Sequence, residues 1–373
     1  MRILHVAAGN LFGGVETILT ILAHHREQCP EMEPHFSLCF EGKLSHNLRS
    51  ATVPVSMIGQ VRVSRPWTVW QARRRISQVL RQTRFDAVIC HSAWPHAVFG
   101  PVVRKNRVPL LTWLHDSARG VHWVERWARR TEPDYVICNS QFTADTVKNI
   151  FRHARFEVMH YPVASVEFPF PEQSQVRAEL KTPNTSVVVI QVSRLERWKG
   201  HLLHLEALGK LREMSGWAAW FVGGAQRPAE ARYLEELKQR AAQLNIADRV
   251  RFLGQRPDVP RFLAAADIHC QPNTGPEPFG ITFVEGLQAG LPVITTAMGG
   301  ALEILDDSCG ILTPPGDAEA LAGRLRELIE NPGLRARLGR AGPARAKALC
   351  DPSRQMSRLH ALCQRIQQKR MVA

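Results

Sequence analysis

Two cations, Arg194 and Lys199, stand close together in SRLERWKG (193–200), and two glutamates, Glu277 and Glu285, bracket a turn and an apolar run in EPFGITFVEG (277–286). Each stretch follows a strand-like run, VVVIQVS (187–193) and DIHCQP (267–272). Arginine grips an oxyanion with two parallel donors and lysine meets it as a point charge, so a pair converging at a helix start suits a diphosphate. The same spacing also describes two solvated charges beside a turn. Pro276 and Pro278 stiffen the loop around Glu277, and Phe279-Gly280 leads into a helix expected from about Ile281 to Ala289. The first backbone amides of such a helix lack internal partners and carry partial positive charge. Glu285 falls about one turn in. A carboxylate among apolar neighbours is costly unless it finds partners. A sugar or ribose diol offers it two hydroxyl donors, each bond contributing about 1.5–3 kcal/mol. The spacing therefore fits a nucleotide-sugar lying across a helix start, its two rings held by the glutamates and its diphosphate facing the amides, Arg194 and Lys199.

Two further stretches follow strand-like runs in the first half. GNLFGGVET (9–17) places Gly13 and Gly14 at the start of the first helix, where a ligand can approach the backbone and an anion is favoured. A tight strand-to-helix turn would use the same residues. The glycines at 9, 13 and 14 do not make the G-x-G-x-x-G of a dinucleotide site, and Glu41 alone is a weak substitute for that motif's ribose-binding acid. TWLHDSARG (112–120) puts His115 and Asp116 at a strand end. The chain has fifteen histidines, so only this position distinguishes His115 from a structural ring.

Strands must alternate with helices to put these stretches where they are. Apolar runs at 3–8, 36–40, 55–58, 86–91, 110–116, 134–140 and 156–161, mostly separated by amphipathic helical stretches, predict a parallel sheet covered on both faces. PVASVEFPFPEQ (162–173) has three prolines and no helical period, which predicts a linker. The alternation restarts at 187–193, 217–224, 249–254, 267–272, 292–296 and 310–314, with helices expected at 200–214, 229–244 and 317–330 and a last one from Pro352 to about Lys369. The expected fold is α/β, with two doubly wound Rossmann-like domains. Their boundaries are 1–165, joined by 352–373, and 166–351. Ligands of such folds bind outside the carboxyl ends of the strands, here in a cleft shared by the two domains.

Composition limits the partners. No stretch of eighteen apolar residues occurs, so no membrane-spanning helix is expected, and MRILHVAAGN reads as a first buried strand and not as a signal peptide. The eight cysteines have no CxxC spacing, which argues against zinc and a disulfide framework and for a reducing cytoplasm. The net charge is +14, and between Arg62 and Arg84 seven arginines and two tryptophans occur with no acidic residue. That segment is either a solvated helix face or a patch for an anionic membrane surface. No nucleic-acid module is recognisable, and nucleic acid is not expected as a partner.

The order of these motifs resembles the retaining glycosyltransferases of family 4, which have the GT-B fold. The likeness runs along nearly the whole chain: Gly13-Gly14, the His115 and Asn139-Ser140 strand ends, S-R-L-x-x-x-K-G, E-P-F-G-x-x-x-x-E and, more weakly, GGALEI (299–304) with Glu303. The resemblance implies that Arg194 and Lys199 bind the donor diphosphate, Glu285 the nucleotide ribose, and Glu277 the donor sugar. It implies that the amides of Phe279, Gly280 and Ile281 meet sugar and phosphate, that Gly13 and Gly14 approach the phosphate, and that His115 lines the sugar pocket. The base would lie near Gly254 to Pro257, held by backbone groups. In this reading His115, Arg194, Lys199 and Glu277 are the catalytic set, and the final helix crosses back to the first domain. The two cations and the helix start would stabilise the leaving diphosphate, so no metal or other cofactor is expected; no Asp-x-Asp triplet occurs. The implied reaction moves a sugar from a nucleoside-diphosphate sugar to a glycan or lipid-linked acceptor in cell-envelope polysaccharide synthesis, with the protein cytoplasmic or peripheral on the inner membrane face. A nucleotide-sugar epimerase or a non-catalytic sugar-nucleotide-binding protein would share the binding residues.

Overall fold

A computed structural model describes residues 1–10, 13–164 and 173–372. The linker expected over 162–173 falls mostly outside them. The chain divides into two compact units, Met1–Ala164 with Cys350–Ala373, and Ser165–Leu349.

The first unit is a seven-stranded parallel sheet in the order β3-β2-β1-β4-β5-β6-β7. Its strands are β1 (Arg2–Ala7), β2 (Glu33–Leu38), β3 (Val55–Met57), β4 (Ala87–His91), β5 (Leu110–Leu114), β6 (Tyr135–Cys138) and β7 (Phe156–Val158). The second is a six-stranded parallel sheet in the order β10-β9-β8-β11-β12-β13. It comprises β8 (Val187–Val192), β9 (Trp217–Val222), β10 (Val250–Gly254), β11 (Ile268–Gln271), β12 (Val293–Thr296) and β13 (Gly310–Thr313). Both orders reverse direction once, between β1 and β4 and between β8 and β11. At that switch point the two connections leave in opposite directions and open a crevice at the strand carboxyl ends.

Every strand expected from the apolar runs forms, because such runs can be buried on both faces only in a helix-covered parallel sheet. Cys90, Cys138 and Cys270 are core residues, and all eight cysteines are free and buried. An aspartate directly precedes each of β4, β6 and β11. Asp86 accepts from the Arg2 amide at 2.7 Å, Asp134 from Leu110 at 2.8 Å and Asp267 from Val188 at 2.6 Å. Each closes the amino end of a neighbouring strand, where an amide would otherwise lack a partner. Buried Arg177 completes the last of these, donating to Asp267 at 2.6 Å.

The helix after β8 is shorter than expected, His201–Gly209. A helix at Pro332–Cys350 was not anticipated. Its Gly333, Gly339, Gly342 and Pro343 disfavour a helix interior by intrinsic propensity. Packing overrides propensity there: a Cβ at Gly339 would stand 2.1 Å from the Gly290 carbonyl, and one at Gly342 2.6 Å from that of Leu287. The last helix, Pro352–Val372, belongs to the first unit. There Arg358 and Arg365 donate to Glu157, and Gln367 donates to Asp86.

Candidate functional site

The second unit's switch point assembles most of the expected donor residues. The loops after β8 and β11 touch backbone to backbone. Gly200 sits at φ +74°, and a Cβ on it would lie 1.7 Å from the Pro272 carbonyl oxygen; the Thr274 amide donates to the Trp198 carbonyl at 2.8 Å. Only glycine satisfies both the left-handed backbone and the close approach. That contact delivers Lys199 from one loop to Glu277 on the other, where they form an ion pair whose side chains are each 12% exposed. The Lys199 ammonium also lies 4.0 Å from the Trp198 ring centroid, within range of the ring's quadrupole.

Three polar side chains stand behind Glu277. Thr282 donates to Gln271 Oε1 at 3.2 Å, Gln271 Nε2 donates to Asn273 Oδ1 at 3.0 Å, and Asn273 Nδ2 donates to Glu277 Oε2 at 3.4 Å. All three bonds point the same way, toward the carboxylate. The backbone of the EPFG arm is fixed separately. Gly300 N donates to the Glu277 carbonyl at 2.7 Å, and a Cβ at Gly299 or Gly300 would meet main-chain atoms of residues 277–279 within 3 Å. GGALEI therefore contributes a backbone clasp. Gly280, at φ +103°, caps the helix Ile281–Gln288, and Phe279 is buried beneath it.

Glu285 is half-buried on that helix. No side-chain hydrogen bond or ion pair joins it to any described residue. Burial pushes its carboxyl up to about 7. Arg194 is different: its side chain is 49% exposed and pairs with Glu196 at 3.0 Å, while Glu196 also accepts from Trp198 Nε1. The structure thus unites Lys199, Glu277 and the Gly280 helix start, and leaves Arg194 on a solvated loop. Gly254 ends β10 with open space on its Cβ side. Glu41, the substitute ribose acid, is taken up by Arg49 and Ser45 on the surface.

In the first unit, Gly13 caps the helix Gly14–His24, and its amide donates to Glu16 at 3.0 Å. His115 is 8% exposed just past β5, with both ring nitrogens engaged: Nε2 lies 2.9 Å from His91 Nδ1, and Nδ1 lies 2.5 Å from the Tyr161 hydroxyl. Asn139 donates to that hydroxyl at 3.0 Å and to the His115 carbonyl at 3.1 Å. Burial holds the His115 ring down to about 3, so it is neutral.

Sequence reading missed Trp198, Asn273, Gln271, His91 and Tyr161. A polar residue directly after a buried strand was the available signal for Asn273. For His91 and Tyr161 there was none, because their partners lie on other strands.

The basic segment forms the helix Pro66–Gln82, which buries Ala72, Ile76 and Leu80. Trp67 and Trp70 are 58% and 60% exposed, and Arg62, Arg65, Arg74, Arg75, Arg81 and Arg84 are exposed as well. No helix among the described residues is long and apolar enough to cross a membrane.

Comparison with known proteins agrees with this fold. A family model described as Glycosyl transferases group 1 matches residues 172–345, and one described as Glycosyltransferase Family 4 matches residues 12–164. The chain is 30% identical over 306 residues to the alpha-1,3/1,6-mannosyltransferase ALG2 of Homo sapiens, covering 73% of this chain and 71% of that protein. It is 28% identical over 295 residues to the lipopolysaccharide core biosynthesis glycosyltransferase LpsD of Rhizobium meliloti, 78% of each. The crystal structure of Anabaena Alr3699/HepE in complex with UDP and glucose superposes with a TM-score of 0.85 at 26% identity, over 97% of this chain and 99% of that one.

Proposed function

The chain belongs to glycosyltransferase family 4, with the GT-B fold, and from that premise we propose that it is a retaining enzyme. It transfers a sugar from a nucleoside-diphosphate sugar to a hydroxyl of a glycan or lipid-linked acceptor in cell-envelope synthesis. The observation that carries this reading is the Lys199–Glu277 pair at the Gly280 helix start, with Glu285, unpartnered among the described residues, one turn further on. In this reading, breaking the anomeric C–O bond puts negative charge on the leaving diphosphate. Lys199 and the amides of Phe279, Gly280 and Ile281 meet that charge, with Arg194 swinging in from its exposed loop. Glu285 accepts from the ribose diol, and Glu277 from the sugar hydroxyls. Gly254 borders the base. Gly13, Gly14 and His115 take their roles toward phosphate and sugar from the family pattern. No metal or other cofactor is required by these roles. The names of relatives that act on lipopolysaccharide core and on phosphatidylinositol mannosides support an envelope acceptor.

Thermal unfolding in the presence of a chelator tests the donor site. One of UDP, GDP or ADP at about a hundred times its Kd is expected to stabilise the chain by about 2.7 kcal/mol, with the corresponding sugar nucleotide consumed only when acceptor is present. No stabilisation by any of them without added metal would refute the reading. Donor consumption without acceptor would point to an epimerase.

We also propose that the helix Pro66–Gln82 docks the protein on the inner, anionic membrane surface. Trp67, Trp70, Arg74 and Arg81 lie along one solvent-facing stripe of it, the arrangement that seats aromatic rings at headgroup level and arginines against lipid phosphates. Sedimentation with vesicles rich in anionic lipid is expected, fading with salt. Replacing Arg74 and Arg81 by glutamine should weaken it by about 1 kcal/mol per charge. Equal binding to neutral vesicles, or none to either, would reduce the stripe to a solvated face.

A further inference from the structure

Three buried histidines climb the first sheet as a staircase. His5 is on β1, His91 ends β4, and His115 follows β5. These strands are neighbours, and the parallel register places each ring two residues beyond the partner of the last: His5 is level with Ile89, and His91 with Trp113. Their nitrogens form a continuous line. His5 Nδ1 lies 3.0 Å from His91 Nε2, and His91 Nδ1 lies 2.9 Å from His115 Nε2. Adjacent rings stack with centroids 5.2 Å apart. The line starts inside the sheet, where His5 stacks on Phe36 and its Nε2 is buried with no hydrogen-bond partner among the described residues. It ends at the carboxyl edge, on the Tyr161 hydroxyl.

Each imidazole in such a line donates through one nitrogen and accepts through the other, so one end sets the sense of all. Asn139 donates to the Tyr161 oxygen, which frees the phenolic hydrogen for His115 Nδ1 at 2.5 Å. We propose that Tyr161 and His91 are positioning residues that lock His115 as a neutral Nε2–H ring, through a one-way chain Tyr161→His115→His91→His5. In this chain the Tyr161 O–H donates to His115 Nδ1, His115 Nε2–H to His91 Nδ1, and His91 Nε2–H to His5 Nδ1. The terminal His5 Nε2–H is the orphan atom. Desolvation disfavours charge on every ring of the line, and the flanking Trp113 adds none.

The catalytic consequence rests on the proposed transfer reaction. Positive character develops on the sugar at the transition state, and an imidazolium at His115, which takes its role toward the sugar from the family pattern, would oppose it. A neutral His115 held from both sides avoids that repulsion and keeps its ring orientation without loss of entropy on binding.

Long-range nitrogen-15 NMR of the histidine side chains of the intact protein tests the chain independently of activity, with His5→Asn and His91→Asn spectra used for assignment. The wild type should show pyridine-like Nδ1 and pyrrole-like Nε2 in all three rings, unchanged between pH 5.5 and 8. Tyr161→Phe removes the donor at one end. It should shift the nitrogens of His91 and His5, which do not touch Tyr161, and lower kcat about five- to tenfold with donor KM little changed. An Nδ1–H tautomer of His115, or a ring of the line that titrates in that range, would overturn the proposal. So would a Tyr161→Phe effect confined to His115. Should Tyr161→Phe not fold, the wild-type spectrum still decides. An intact tautomer pattern in a protein that transfers no sugar would leave the chain standing and discard the reaction.

Discussion

Lys199→Ala is expected to lower kcat/KM for sugar transfer by about a hundredfold or more, roughly 2.7 kcal/mol of transition-state stabilisation. Two losses combine. The ammonium, 12% exposed, is the cation that the proposed reading sets against the leaving diphosphate, and a charge-assisted contact of that kind strengthens as the anomeric bond breaks. Its removal also leaves the Glu277 carboxylate, 12% exposed, with Asn273 as its remaining side-chain partner. Breaking one side of a fully buried pair destabilises a fold by about 3–5 kcal/mol, and this partly exposed pair should cost less than that. The two effects separate in the double variant. Glu277→Gln added to Lys199→Ala should restore most of the melting temperature and none of the activity. Arg194→Ala should cost less, about tenfold, because its guanidinium is half exposed and already held by Glu196. Near wild-type kcat/KM in Lys199→Ala would remove the diphosphate from this site.

Glu285→Gln is expected to weaken nucleotide-sugar binding at pH 8 by about a hundredfold, since a charged acceptor for two ribose hydroxyls is replaced by a neutral one. The same variant should be more stable than the wild type at that pH. The folded carboxyl keeps its proton up to about 7, against an ordinary 4.5. Above the ordinary value the unfolded chain gives up this proton more readily than the folded one, and the fold loses stability. The penalty is absent below about pH 4.5, grows as pH rises toward 7 and is complete above, where it amounts to at most about 3 kcal/mol. Melting curves of the two proteins should coincide near pH 4.5 and diverge in favour of the glutamine variant by pH 8. Wild-type donor affinity should rise over the same interval, because the ionised form is the one that accepts from the diol. Isothermal titration at pH 5.5 and 8 measures this, and equal affinities for both proteins at pH 8 would take the ribose away from Glu285.

Much of this site is readable in the sequence. A strand buried on both faces cannot hide its periodicity, so both sheets and the carboxyl-end placement of residues 193–200 and 277–286 follow from apolar runs alone. Lys199 and Glu277 were legible as charges with no reason to be near apolar strands. Their pairing was not, since it depends on a backbone contact between Gly200 and Pro272, on different loops. Arg194 shows the opposite limit: its spacing matched Lys199, yet spacing cannot tell an inward side chain from one held outward by Glu196. The helix Pro332–Cys350 escaped because its glycines, poor helix formers in isolation, serve close packing against residues 287–290. The histidine staircase was invisible for a simpler reason. Its three members are scattered over more than a hundred positions and meet only through strand order.

The main-chain clasp of Gly299 and Gly300 on residues 277–279 bears on how this enzyme could be re-engineered. The arm that carries Glu277 is anchored through main-chain atoms of the 299–300 turn, so the side chains next to that turn are not needed for the anchoring. Neighbouring side chains such as Leu302, 56% exposed, are open to randomisation, while the two glycines are not. A library that spares 299 and 300 should stay folded at a much higher rate than one that includes them.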